Sequence, residues 1–105
     1  MDADFDKLRH LIGERVVDPE GNVIGTVTQL ANEPNTLEPE WLVLKTSRFG
    51  RHQRLVPLKD AVDEGGTVRV PFPKDVVMGA PVPEIPMTPA IAENAALQEH
   101  YRNAA

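Results

Sequence analysis

From residue 15 onward the apolar residues fall into short runs rich in Val, Ile, Leu and Thr, cut by Gly, Pro, Asn and Asp. Residues 15–17, 23–30, 41–46, 53–58 and 67–72 are such runs, and each predicts a strand. The last run alternates strictly. Val68, Val70 and Phe72 share one face, and Thr67, Arg69 and Pro71 the other. The second run does not alternate. Val23 and Val27 have one parity, Ile24 and Leu30 the other, so the strand is either buried on both faces or bulged, with Gly25 where a bulge would bend it. No helical pattern separates the runs, which speaks against parallel crossover units. The prediction is a mainly β fold, a small antiparallel barrel of about five to six strands.

Helical signals sit at the ends. Phe5, Leu8 and Ile12 repeat at helical spacing behind Asp2 or Asp4, predicting a short N-terminal helix over 4–12. Residues 73–78 suit one helical turn. Pro81, Pro83 and Pro86 then predict an extended, semi-rigid arm. Thr88 and Pro89 mark the start of a C-terminal helix, whose Ile91, Ala95, Leu97 and Tyr101 give a weak apolar stripe. A helix this short needs the barrel or a partner chain to hold it. The organisation expected is a barrel with its short helix over 1–80 and an arm plus helix over 81–105.

Composition narrows the function classes. The net charge of -5 argues against broad nucleic-acid binding, which needs a basic face. With 0 Cys there is no disulfide, thiolate metal site or cysteine nucleophile, which fits a reducing cytoplasm. The start MDADFDKLRH has no secretory pattern, and no run approaches the roughly 20 apolar residues of a membrane span. A soluble, cytoplasmic protein is expected.

Candidate chemistry is sparse. The stretch DPEGNVIGTV (18–27) places Gly21 and Gly25 before a β-rich run with no lysine, unlike a phosphate loop. Asp18, Glu20 and Asn22 alternate like the start of a calcium loop, but Gln29 and Leu30 stand where its bidentate glutamate belongs. The stretch reads as a turn, with Pro19 presetting φ and Gly21 or Asn22 taking φ > 0. His10, His52 and His100 lie in separate elements and read as surface residues. Ser47, the sole serine, has no nucleophile context, and Asp63–Glu64 reads as a solvated bend. No catalytic residue, cofactor or metal is assigned, and the chain is expected not to be an enzyme.

Two surfaces remain. Lys45, Arg48, Arg51, Arg54 and Lys59 bracket one hairpin around Phe49 and His52. They either meet an anionic partner or merely keep a hairpin soluble and guard an edge. If Leu42 and Leu44 face the core, Trp41 and Val43 face out, either as an interface anchor or beneath a terminal helix of the same chain. With Ile91, Leu97 and Tyr101 they form the candidate interface.

The segment 11–27, LIGERVVDPEGNVIGTV, resembles the opening LIG-x-x-V-x-D-x-x-G-x-x-IG-x-V run of PRC-barrel domains. Trp41-Leu42-Val43-Leu44 is similar to that family's third-strand run, Leu55-Val56-Pro57-Leu58 to its "vPl" element, and Val68-Arg69-Val70-Pro71 to its last strand. Met78-Gly79-Ala80-Pro81 resembles the "aP" that often follows, and Glu99-His100-Tyr101-Arg102 the "hYg" ending of stand-alone bacterial members, with Arg102 in place of glycine. The resemblance covers about residues 8–82. It implies a barrel used for binding and assembly, as in the reaction-centre H subunit and a ribosome-maturation factor. Its expected partners are a second copy, in a homodimer, and another protein. From the lack of an apolar span and the net charge, no membrane is expected, and nucleic acid only through ribosomal particles. The alternative is a ribosome- or RNA-associated factor acting through the basic hairpin 45–59.

Overall fold

The computed structural model describes residues 8–46 and 53–104. Six strands form one sheet: β1 (Arg15–Val17), β2 (Val23–Asn32), β3 (Pro39–Lys45), β4 (Gln53–Pro57), β5 (Val62–Asp63) and β6 (Thr67–Arg69). Two helices follow, α1 (Lys74–Met78) and α2 (Ile91–Ala104). The strand order is β4-β3-β2-β1-β6-β5, so the sheet has two edges and is not closed into a barrel. Nor is it purely antiparallel, because β6 pairs with β1 in parallel. The sequence runs located five strands but not this pairing, and the two-residue β5 lies outside all five runs.

The chain path shows how far the sheet curls. β4 and β5 run in the same direction at opposite edges, since β1, β2, β3 and β4 alternate and β5 opposes β6. Five residue steps from Pro57 to Val62 join them, a reach of at most about 18 Å. Six flat strands would hold their edges about 24 Å apart. The sheet must therefore roll toward a barrel, although β4 and β5 share no ladder.

Bulges explain the broken alternation of β2. Val16 pairs with Gly25 but Val17 with Val23, which leaves Ile24 as an extra residue; Thr28 is skipped in the same way between Val27 and Gln29. Each extra residue resets the face. Ile24, Val27 and Leu30 are all buried at intervals of three, where an unbroken strand would repeat at two.

The predicted N-terminal helix falls largely outside the described residues; what is described is a single 3₁₀ turn at Arg9–Leu11. The turn after β1 is as expected, with Gly21 at φ +88°. Asp18, 3 % exposed, holds it. Its carboxylate accepts from the backbone of Glu20 and Asn22, from the Asn22 side chain, and from Lys74 N at the start of α1. Burial alone would raise its pKa, but these hydrogen bonds outweigh burial and hold it below the ordinary carboxylate value. Arg69 Nη1 donates to the carbonyls of Asp18 and Pro19, fixing the turn to β6. Asp18, Asn22 and Arg69 thus each have a structural task in this turn.

Candidate functional site

Strand β3 is buried on both faces. Leu42, Val43 and Leu44 are inaccessible and Trp41 is 1 % exposed. Of the two readings of Trp41 and Val43, the interface anchor is corrected here, since both are buried, and cover by a terminal helix of the same chain holds for Trp41, on which α2 lies. The contact is specific. Trp41 Nε1 donates to Asn94 Oδ1 at 2.7 Å, and Asn94 Nδ2 and Gln98 Nε2 donate to the two carboxylate oxygens of Glu40 at 3.2 and 2.8 Å. The Tyr101 hydroxyl donates to the Leu55 carbonyl on β4. Burial pushes the pKa of that phenol well up, against a smaller opposite pull from Arg54. Leu97 and Tyr101 join the core cluster, with Tyr101 packed edge-on to Phe72 at 4.7 Å and tilted against Trp41 at 6.1 Å.

The buried face of α2 is Asn94, Leu97 and Tyr101. It is rotated from the expected stripe, since Ile91 is 64 % exposed and Ala95 is exposed. Of the five candidate interface residues, the chain's own packing consumes Trp41, Val43, Leu97 and Tyr101, and Ile91 alone stands on the surface. Asn94 is the determinant that periodicity missed. Its signal was the lone indole N–H of Trp41, which needs an acceptor once buried.

Where α2 meets the ends of β3 and β4 an open groove of about 550 Å³ remains. Trp41, Phe72 and Tyr101 lie at its floor, Pro39, Pro57 and Leu58 along its wall, and Lys59, Asp60 and Arg102 at its rim. Glu40 also lines it, with both oxygens held by α2. Such an apolar concavity with a few charges at the edge suits a ligand or peptide.

The basic cluster is not gathered into one patch by the described residues. Lys45 pairs with Gln53 at one end of the β3–β4 ladder, while Lys59 follows Pro57 at the other end, at least about 13 Å away. Arg54 is half-buried; its Nε donates to the Met78 carbonyl and its Nη1 to that of Gln53. Ser47, Arg48, Phe49, Arg51 and His52 lie outside the described residues.

His100 is half-buried rather than on the surface, with Nε2–H on the Val76 carbonyl at 2.8 Å, which ties α1 to α2. His10 Nε2 meets Asp63 Oδ2 at 2.9 Å. Glu14 joins this pair. Burial first, then the Asp63 charge and a hydrogen bond with Asp63, raise its pKa, with His10 pulling the other way. Asp63 is lowered, chiefly by the Gly65 N–H and by His10. Asp63 is therefore not merely part of a solvated bend. Among the described residues no group of three or more His, Cys, Asp or Glu is placed to hold a metal ion.

A pH dependence follows from Glu14. With its folded pKa above the unfolded value of about 4.5, its ionisation costs stability as pH rises through the folded pKa, and costs nothing below the unfolded one. Glu14→Gln, which keeps a donor toward Asp63, is expected to raise Tm at pH 7. The gain should vanish below about pH 4.5, as thermal melts across that range will read.

The family model for the PRC-barrel domain matches residues 3–77. The chain belongs to the PRC-barrel domain family. No curated protein matches it in sequence. The matched PRC-barrel region ends within α1, so the sheet side of the groove lies inside it. The arm and α2, which supply Gln98, Tyr101 and Arg102, lie beyond it. In this PRC-barrel protein the candidate site is a joint between the family domain and the segment that follows. No helix of the described residues is long and apolar enough to cross a membrane.

Proposed function

We propose that this PRC-barrel protein is a non-enzymatic protein-interaction module that associates with itself. PRC-barrel domains are in general interaction modules, which sets the class. The observation that carries self-association is the open groove beside α2, in a chain that also exposes Val82, Ile85, Met87 and Ile91 close together in sequence. The polar groups nearest the groove floor support binding over chemistry. Glu40 is held by Asn94 and Gln98, and the Tyr101 hydroxyl by Leu55, so each serves to fix α2 in place. The same reading puts the module in the cytoplasm, in keeping with a chain of 0 Cys.

Co-expression of tagged and untagged copies tests this. Recovery of the untagged chain on the affinity resin, at a ratio near one to one, is the expected result. Recovery of the tagged chain alone would contradict the reading.

A further inference from the structure

The face that α2 turns to the sheet carries a helical code. Asn94, Leu97, Gln98 and Tyr101 stand at positions i, i+3, i+4 and i+7, the spacing by which a helix lays one face along a receptor surface. The strands answer residue by residue. The Trp41 indole N–H meets Asn94, the two Glu40 carboxylate oxygens meet Asn94 and Gln98, and the Leu55 carbonyl on the edge strand β4 accepts from Tyr101. Leu97 joins the core cluster. Helix and receptor are nevertheless separate pieces of chain, since the family match ends at residue 77.

The joint between them is narrow. Ala80 and Pro83 are buried, while Pro81 and Val82 between them are exposed. Beyond the joint, arm and helix form one piece. The Glu93 carboxylate accepts from Glu84 N at 3.0 Å and Ala90 N at 2.9 Å, and Thr88 N donates to the Ile85 carbonyl. Rotation at Pro81 and Val82 therefore carries residues 84–104 away as a unit and leaves the strand ladders intact. Few contacts hold the unit back, because only Asn94, Leu97 and Tyr101 are buried among the 14 residues of α2.

We propose that two copies exchange α2, so that residues 84–104 of each chain dock on the sheet of the other through the contacts they make on their own. This rests on the self-association reading above and names its surface. The occupant is a second copy because α2 already matches the receptor's donors and acceptors one for one. Those contacts are the same in the exchanged and unexchanged forms, so exchange itself costs little. The affinity of the pair comes from what the two-fold axis adds. The two hinges cross there, and the exposed Val82 and Ile85 of each chain are set against the other copy.

Complementation between two full-length variants tests the proposal. Trp41→Phe spoils the receptor and Asn94→Ala spoils the helix. An exchanged heterodimer of the two unites the intact Trp41 of one chain with the intact Asn94 of the other, which neither variant can do alone. Sedimentation velocity over a concentration series reads the wild type, each variant and their equimolar mixture, and circular dichroism checks that each variant folds. Each variant alone carries its defect in monomer and dimer alike, so it is expected to dimerise about as well as the wild type. The mixture is expected to form a heterodimer about tenfold tighter than either homodimer, through the coupling of the two residues. Glu40→Ala with Gln98→Ala, at two half-buried positions, repeats the test should the first pair fold poorly. A wild type that dimerises while neither mixture gains affinity would overturn the exchange and leave self-association standing. A wild type that is monomeric at high micromolar concentration would overturn both.

Discussion

Trp41→Ala is expected to cost about 3–5 kcal/mol, among the largest losses any single substitution in this chain can produce. Trp41 is 1 % exposed between the sheet and α2, so its removal leaves a cavity under the helix and strands Asn94 Oδ1 without its donor. For a domain of this size the loss corresponds to a fall in Tm of at least about 12 °C. Trp41→Phe separates the two parts. It keeps most of the ring but removes the indole N–H, so about 1–3 kcal/mol from the orphaned acceptor should remain. A double-mutant cycle with Asn94→Ala should show coupling of about 0.5–3 kcal/mol, because both act through one hydrogen bond. If Trp41→Ala were to melt within a few degrees of the wild type, α2 would not be clamped to its own sheet.

Gly25→Ala is the second large effect, and it arises from space rather than from backbone conformation. A Cβ at Gly25 would lie 2.4 Å from the Lys45 carbonyl oxygen and 3.1 Å from its carbon. Those are backbone atoms at the end of β3, and they cannot move aside without opening the β2–β3 ladder beside Thr26. The expected cost is about 3 kcal/mol, more for Gly25→Val. Gly21 offers the contrast. A Cβ there meets nothing within 4 Å, but φ is +88°, so Gly21→Ala should cost only about 1 kcal/mol of backbone strain. Chemical denaturation of both variants checks the order. Equal losses would mean that the β3 end is not packed on Gly25 as described.

These residues also show where the sequence is legible. Val68, Val70 and Phe72 are buried in strict alternation, as their pattern predicts, because β6 and the residues after it present one face to the core. Gly21 reads correctly as a turn glycine because turn chemistry is local. Trp41 and Val43 defeat the pattern because a strand covered on both sides carries no alternation, and a run of four apolar residues cannot say which side a helix of its own chain will cover. Ile24, Val27 and Leu30 share the core only through bulges, whose positions depend on the partner strands. The parallel β1–β6 pair and the short β5 come from long-range closure of the chain and leave no local mark. Asn94 looks like an ordinary polar helix residue until Trp41, 53 positions away, is placed beside it. The groove is legible only in three dimensions, since β3, β4 and α2 each supply part of it.

The claim that this face of the PRC-barrel protein is an interaction surface is tested most directly by hydrogen exchange, followed by mass spectrometry at low and high micromolar concentration. The account predicts that exchange slows with concentration at the amides of residues 82–91 and around Leu58 and Lys59, and nowhere else on the sheet. Exchange that is the same at both concentrations throughout the chain, or protection confined to other surfaces, would contradict it.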